Sequence, residues 1–419
     1  MEPPETLAGL LRQYSPTGQE AQAANWLVTR MRSLGFEQAS VDAAGNAVGL
    51  LGKGPRELVL LGHIDTVRGE IPVRLEEERL FGRGSVDAKG PLAAFVDGAA
   101  AAGSHSGWRL VVVGAVEEEG DSRGARFVAD QYHPEFAIVG EPSGWDRVTL
   151  GYKGIARARI TVRRETVHSA SNVPSACEDA IALWVSLKSW AEKFNSGRLR
   201  AMDQVQVALR GVRSGEEDFE EWASLLVWAR LPLHLSPQGW YDALANLAGS
   251  RQAEVTPEGL AVPAYRAGKD NRLVSQFLRS IRAAGGEPRF LLKSGTADLN
   301  LVAPAWGCPA LAYGPGDSAL DHTPGEHIML NEYFRAVGVL TDVLCHLMEP
   351  ASGPWSHPEP RNGAFPKGLL RVLFAATQDR TLFPNSPICL GESKRGGGRA
   401  NRFSGWRWAD LASLAGQQG

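Results

Sequence analysis

The chain has 419 residues, of which 43% are hydrophobic and 22% are charged, a composition that suits two or three globular domains. The formal net charge of −3 gives no electrostatic reason to expect nucleic acid or an anionic membrane as a partner. No apolar run reaches the roughly 18–20 residues needed to span a bilayer, and the first residues lack a signal-peptide pattern. Together with four scattered cysteines, these features predict a cytoplasmic protein.

The first part of the chain alternates between predicted strands and helices. Residues 6–35 read as two amphipathic helices separated by a turn at Ser15–Gly18. Short apolar runs at 58–61, 110–116 and 136–139 are typical of strands buried on both faces, and the Ala-rich segment 90–102 is typical of a helix. This alternation predicts an α/β fold with a central sheet covered by helices.

The pattern changes twice further along the chain. Residues 156–263 combine alternating strands with a helix near 175–194 and predict a separate α+β insert. The α/β character then returns, so residues 1–155 and 264–350 are predicted to form one domain. Residues 351–419 hold nine Lys and Arg against four Asp and Glu, whereas residues 1–350 hold 35 against 43. This basic Gly/Pro/Arg-rich tail predicts disorder, with a binding tail or a misread gene end as alternatives.

Acidic and imidazole side chains follow the predicted strands. In α/β sheets, such strand ends are where active sites form. Three consecutive glutamates are more often a solvated surface, and a lone His in a loop is more often structural, so no single motif is decisive. The occurrence of several such motifs together in one chain is what indicates an active site. Five segments carry these residues: Gly62–Val67, Gly82–Gly90, Glu117–Gly120, Gly140–Ser143 and Asp321–His327.

These residue types suit a pair of divalent metals. Two ions about 3.5–4 Å apart need a bridging carboxylate and further ligands for each ion. Two His, one Asp and two Glu, drawn from the five segments, supply that number. Nitrogen and oxygen ligands without sulfur favour two zinc ions, with cobalt as a substitute. A second Glu beside a ligand Glu would serve as the base for a hydrolytic water.

The five motifs resemble the di-zinc metallopeptidase family that contains carboxypeptidase G, acetylornithine deacetylase and succinyl-diaminopimelate desuccinylase. The resemblance covers about residues 5–350 and implies an amide hydrolase. It implies that His63 and Glu141 bind one zinc, that Glu119 and His322 bind the other, and that Asp87 bridges them. It further implies that Asp65 orients the His63 ligand and that Glu118 is the general base. The run of three glutamates leaves Glu117 and Glu118 as the alternative base and ligand.

The same resemblance gives the insert a role. It implies a ferredoxin-like lid through which the protein forms a homodimer. His168 would reach the active site of the partner subunit and steady the oxyanion, and Arg230 would hold a substrate carboxylate.

Narrower phrases, such as Val148–Gly154 and Lys293–Asn300, resemble lysine-biosynthesis hydrolases of the amino-group-carrier pathway. This resemblance implies that the substrate is a small acidic carrier protein, from whose C-terminal Glu lysine or ornithine is released, with a role in lysine and arginine biosynthesis. A small-molecule deacetylase or dipeptidase of the same family is one alternative. A non-catalytic binding protein is another, whereas a serine hydrolase is disfavoured because no Gly-x-Ser-x-Gly follows a predicted strand.

Overall fold

The computed structural model describes residues 2–168 and 170–349, so the predicted tail at 351–419, with Cys389, lies outside the described residues. The helices within these ranges are α1 (Glu5–Arg12), α2 (Ala21–Ser33), α3 (Lys89–Ala102), α4 (Arg123–Ala129), α5 (Ala176–Asn195), α6 (Pro237–Gly249), α7 (Arg272–Ala283), α8 (Leu299–Trp306) and α9 (Leu330–Met348). The strands are β1 (Gln38–Val41), β2 (Ala47–Leu51), β3 (Arg56–His63), β4 (Arg74–Glu76), β5 (Arg79–Phe81), β6 (Trp108–Ala115), β7 (Phe136–Gly140), β8 (Arg147–Tyr152), β9 (Gly154–Glu165), β10 (Gln206–Glu217), β11 (Glu220–Leu231), β12 (Glu254–Pro257), β13 (Tyr265–Arg266), β14 (Arg289–Lys293), β15 (Ala310–Tyr313) and β16 (His327–Met329).

A nine-stranded mixed sheet forms the centre of the α/β part. Its strand order is β1-β2-β6-β3-β7-β15-β8-β13, with β14 paired to β8. The four neighbouring strands β6, β3, β7 and β15 are mutually parallel, whereas β2 and β13 join antiparallel. The predicted fold class, an α/β protein with a central mixed sheet, is confirmed.

Helices cover both faces of this sheet, which explains the continuous apolar runs in the sequence. Leu58 and Leu60 of β3 face a core shared with α3, α7 and α9. The alternate residues Val59 and Leu61 face a second core shared with α4 and α8. A strand buried on both faces needs apolar side chains at every position, so it shows no alternation.

The insert is a second, smaller sheet. Its elements run β9-α5-β10-β11-α6-β12, and its antiparallel strands lie in the order β10-β11-β9-β12. This βαββαβ topology is the ferredoxin-like arrangement. Helices α5 and α6 pack on one face, around Leu183, Leu187 and Trp240. The assignment of domain boundaries, and of a lid or dimerisation role, stays a prediction.

Two small features were not predicted from the sequence. Strands β1 and β2 form a hairpin at the sheet edge, and β4, β5 and β16 form a separate three-stranded sheet. The strands of this small sheet are three residues long, too short for a pattern, and all three residues of β4 are exposed. Its pairing of His327 with Phe81 joins segments about 250 residues apart and places Glu326 next to the Gly82–Gly90 loop.

No helix in the described ranges is both long and apolar enough to cross a membrane. Cys177, Cys308 and Cys345 are free thiols.

A buried carboxylate connects three helices beneath the central sheet. Asp97 of α3 accepts a hydrogen bond from the Thr6 hydroxyl of α1 at 2.5 Å and from the Tyr333 hydroxyl of α9 at 2.7 Å. Burial raises the pKa of Asp97, an effect that both hydroxyls oppose. All three side chains are buried, so neither hydroxyl has access to water as a replacement partner.

We expect Asp97→Ala to lower the free energy of unfolding by about 1–3 kcal/mol for each hydroxyl left without an acceptor. Urea denaturation followed by circular dichroism measures this change. Asp270→Ala, at an exposed position, is the control. Equal midpoints for the two variants would contradict a structural role for Asp97.

Candidate active site

The predicted site residues gather at one edge of the central sheet. His63 is the last residue of β3, Glu141 follows β7, and the glutamate run 117–119 follows β6. The register pairs His63 with Ala115 and Gly62 with Gly140, so these parallel strands end at the same level. The loop after β15, on the other side of β7, carries His322. The sheet topology therefore brings four distant segments to one place.

Asp87 lies between the two histidines. Its Oδ1 is 3.3 Å from His63 Nε2, and its Oδ2 is 3.0 Å from His322 Nε2. His322 Nε2 is also 2.8 Å from Glu119 Oε1. Ligand atoms of Asp87, Glu119 and His322 all lie within 4.8 Å of one another. A carboxylate that offers a different oxygen to each of two imidazoles has the arrangement needed to bridge two metal ions.

Two more carboxylates crowd this centre. Burial, followed by repulsion from Asp87, raises the pKa of Glu141 to about 8, and His63 opposes this rise. Burial also raises the pKa of Glu118 well above its usual range, with repulsion from Asp298, Glu141 and Glu119 adding to the effect. Such a concentration of negative charge fits a site for divalent cations, and the donors are imidazole nitrogens and carboxylate oxygens without sulfur.

Glu117 points away from this group. Its backbone is in the left-handed region, with φ of 61°, and its carboxylate forms an ion pair with Arg123 at 2.9 Å. The neighbouring Glu119 contacts His322, as described above. This geometry favours Glu118 and Glu119 over the alternative pair Glu117 and Glu118.

Asp65 supports the glutamate run and His63 together. Its Oδ1 accepts from the backbone N–H of Glu118 at 3.0 Å, and its Oδ2 accepts from Glu119 N–H at 3.1 Å and the Thr17 hydroxyl at 2.9 Å. Burial alone would raise the pKa of Asp65. The hydrogen bond to His63 and the electrostatic attraction between the two side chains instead hold this pKa below its usual value. His63 Nδ1 lies 3.0 Å from the backbone carbonyl of Asp65 and 3.5 Å from its carboxylate. Donation from Nδ1 leaves Nε2 free to bind a metal.

Glu326 was not assigned a role from the sequence, although it lies in the Asp321–His327 motif. Its Oε1 accepts from the N–H groups of Val86 and Asp87, at 2.9 and 3.0 Å. Its Oε2 accepts from Gly84 N–H at 3.0 Å and from Arg83 at 2.9 Å. The side chain is 1% exposed. This carboxylate therefore fixes the loop that carries Asp87, and the 240-residue separation hid the contact from sequence reasoning.

We expect Glu326→Gln to weaken metal binding about 10–100-fold, the usual cost of losing a residue that supports a metal ligand. The amide presents one oxygen acceptor and a donor NH₂ where two acceptor oxygens now stand. Titration against a chromophoric chelator measures the affinity. Glu287→Gln, at a fully exposed glutamate, should bind metal like the parent. Unchanged affinity in Glu326→Gln would show that the loop holds Asp87 without this support.

The two remaining predicted residues lie on the insert. Arg230 donates to the Thr296 hydroxyl at 2.9 Å. Burial and repulsion from Arg157 lower the pKa of Arg230, while the charge of Glu118 opposes this, so Arg230 lies within electrostatic range of the site. His168 is exposed in the loop after β9, where its Nδ1 accepts from Ala170 N–H at 3.1 Å. Within the described part of this single chain, His168 makes no hydrogen bond to the metal-site residues, and its action across a dimer stays a prediction.

Comparison with known proteins identifies the family of this chain. The model of peptidase family M20/M25/M40 matches residues 59–346, which include the ends of the central-sheet strands that carry the site and the whole insert. The chain belongs to this family. As a member of a peptidase family, it is a hydrolase of the amide-bond class, and the family recognised from the motifs is confirmed.

Curated relatives cover nearly the same length. A LysW-lysine hydrolase of Deinococcus radiodurans is 44% identical over 341 residues, which are 80% of this chain and 94% of that protein. A putative LysW-lysine/LysW-ornithine hydrolase of Thermococcus kodakarensis is 41% identical over 341 residues, which are 81% of this chain and 90% of that protein.

Solved structures of the family share the fold. An M20 family metallo-carboxypeptidase of Sulfolobus solfataricus superposes with a TM-score of 0.67 at 18% identity, covering 81% of this chain and 98% of that one. A dinuclear metal-binding peptidase of the M20 family from Bacillus subtilis superposes with a TM-score of 0.62 at 11% identity, covering 82% and 97%. At these identities the likeness establishes the fold alone.

Proposed function

We propose that this M20/M25/M40 member is a two-metal hydrolase that releases lysine, or ornithine, from the C-terminal Glu of an amino-group carrier protein. The main support for two-metal chemistry is the position of Asp87. One of its carboxylate oxygens lies 3.3 Å from His63, and the other lies 3.0 Å from His322. The relatives are named LysW-lysine hydrolases, and LysW is the carrier protein in that name. These names support carrier-linked lysine as the substrate. The reaction would complete lysine biosynthesis and, with ornithine, serve arginine biosynthesis.

The proposed ligand assignment divides the site around Asp87. His63 and Glu141 would hold one ion, Glu119 and His322 would hold the other, and Asp87 would bridge them. Zinc suits this set of nitrogen and oxygen donors, and cobalt would substitute for it. Zinc would supply Lewis acidity and lower the pKa of a water that it holds to about 7.

The other residues would move the proton and orient the substrate. The Glu118 carboxylate would take a proton from the attacking water and deliver it to the nitrogen of the departing lysine. Asp65 would keep Glu118 in place through the bond to its backbone N–H. Arg230 would bind the α-carboxylate of the lysine, and His168 of the partner subunit would donate to the developing oxyanion.

Metal content tests the ligand assignment without any activity measurement. We expect two zinc ions per chain in the reconstituted protein and no more than one in His322→Ala, because that variant loses a ligand of the second ion. Mass spectrometry of the metal after gel filtration measures the ratio. His133→Ala, at an exposed position, should keep both ions. Two ions in His322→Ala would remove His322 from the ligand set.

Hydrolysis tests the reaction and the substrate together. We expect the zinc-loaded protein to release lysine from the carrier-linked form, and chelation to stop it. Glu118→Gln should lower kcat about 10²–10⁴-fold, the usual contribution of a general base, while it retains two zinc ions. Released lysine is measured by chromatography.

The alternatives give different results in the same assay. Cleavage of N-acetyl-lysine or a dipeptide, without cleavage of carrier-linked lysine, would retain the two-metal chemistry and exclude the carrier substrate. No turnover of any amide by the zinc-loaded protein would favour a binding protein that keeps the fold. A homodimer formed through the insert, and a cytoplasmic location, remain part of this proposal and are predictions from the sequence.

A further inference from the structure

The insert sheet has one face covered by helices and one face without a helix. Ala156, Ala158, Ile160 and Val162 of β9 point to α5 and α6, and the alternate residues point to the opposite face. That opposite face is rich in arginine. We call it the arginine face, and it carries Arg157, Arg159, Arg163, Arg210, Arg213 and Arg230.

A groove of about 160 Å³ lies on this face. The hydroxyl oxygen of Ser224, whose residue is 6% exposed, has no hydrogen-bond partner among the described residues. Three cationic side chains surround it. The groove is lined by Arg159, Arg210, Gly211, Arg213, Ser224 and Leu226.

The cations of the arginine face are only partly neutralised. Arg159 pairs with Glu258 at 2.6 Å, and Arg163 pairs with Glu220 at 2.5 Å. Arg210 and Arg213 form no ion pair with any residue that the structure describes, and both are exposed. The guanidinium groups of Arg157 and Arg210 lie 4.7 and 4.9 Å from the Trp228 ring, so stacking holds them in place. Preorganised and unpaired guanidinium groups favour carboxylate ligands.

Strand β11 leads from the groove to the active site. Ser224, Leu226, Trp228 and Arg230 alternate along β11 and share one face. At about 3.3 Å per residue, the six steps along the strand from Ser224 to Arg230 span about 20 Å. Arg230 contacts Thr296 beside the site. An extended polypeptide that passes Arg230 therefore reaches the groove about six residues further along.

The surrounding charge makes this face distinctive. Residues 1–350 hold 43 acidic against 35 basic residues, so the body as a whole repels an acidic partner. We infer that the arginine face binds an extended acidic segment of the polypeptide that carries the scissile amide, and so positions the carrier part of the substrate. This inference rests on the proposed function, and it adds the surface and the chemistry of recognition.

Charge reversal on the face tests the inference. We expect Arg210→Glu combined with Arg213→Glu to raise KM for carrier-linked lysine at least about tenfold and to leave kcat nearly unchanged, because the reversed charges act on docking. The KM for N-acetyl-lysine, which lacks a polypeptide, should not change. Arg279→Glu, on the exposed side of α7, is the matched control. Thermal unfolding of each variant shows whether it folds like the parent.

A second probe separates this inference from the proposed function. A fluorescein-labelled hexaglutamate peptide should bind the parent protein and lose affinity at least about tenfold in the double variant, as measured by fluorescence anisotropy at low salt. If the parent does not cleave carrier-linked lysine, the proposed function fails, and this peptide alone decides the role of the arginine face. Equal peptide binding by the parent and the double variant, or an unchanged KM for carrier-linked lysine, would overturn the inference.

Discussion

Mutual repulsion between carboxylates at the end of four parallel strands is the constraint on which this structure depends. Asp87, Glu118, Glu119 and Glu141 occupy one small volume, and burial together with their neighbours raises the pKa of Glu118 and Glu141. A protein retains such an arrangement only when cations offset the repulsion. The family membership and the two imidazoles that face Asp87 make a metal pair the natural source of that charge.

The backbone around the site is held by two other acids that do not face the metal positions. The Asp65 carboxylate accepts hydrogen bonds from the backbone N–H groups of Glu118 and Glu119. The Glu326 carboxylate accepts hydrogen bonds from those of Gly84, Val86 and Asp87. In each acid, both carboxylate oxygens accept hydrogen bonds from backbone N–H groups. The positions of the proposed ligands and base are therefore set by loops that buried hydrogen bonds stiffen, which suits a site that has to bind metal with fixed geometry.

The fold separates chemistry from recognition. The edge of the central sheet carries the proposed ligands and base, whereas the insert contributes Arg230 and the arginine face. Helices on one side of the insert sheet leave its other side open, and β11 connects this open side to Thr296 and the site. Under the proposed role of the arginine face, two substrates that share the same amide bond would be distinguished by what lies beyond it, because the distant arginines would contact only a long polypeptide.

The sequence by itself determined the buried strands β3, β6 and β7, since strands covered on both faces require unbroken apolar runs such as Leu58–Leu61. Strand ends also singled out most of the segments that carry the candidate ligands, whereas the resemblance to the di-zinc family assigned the individual residues. Only the tertiary structure decided that Glu117 turns to Arg123, that Glu326 fixes the Asp87 loop, and that six arginines share one face of the insert. These facts depend on contacts between residues up to 240 positions apart or on the direction of single side chains, and local patterns encode neither.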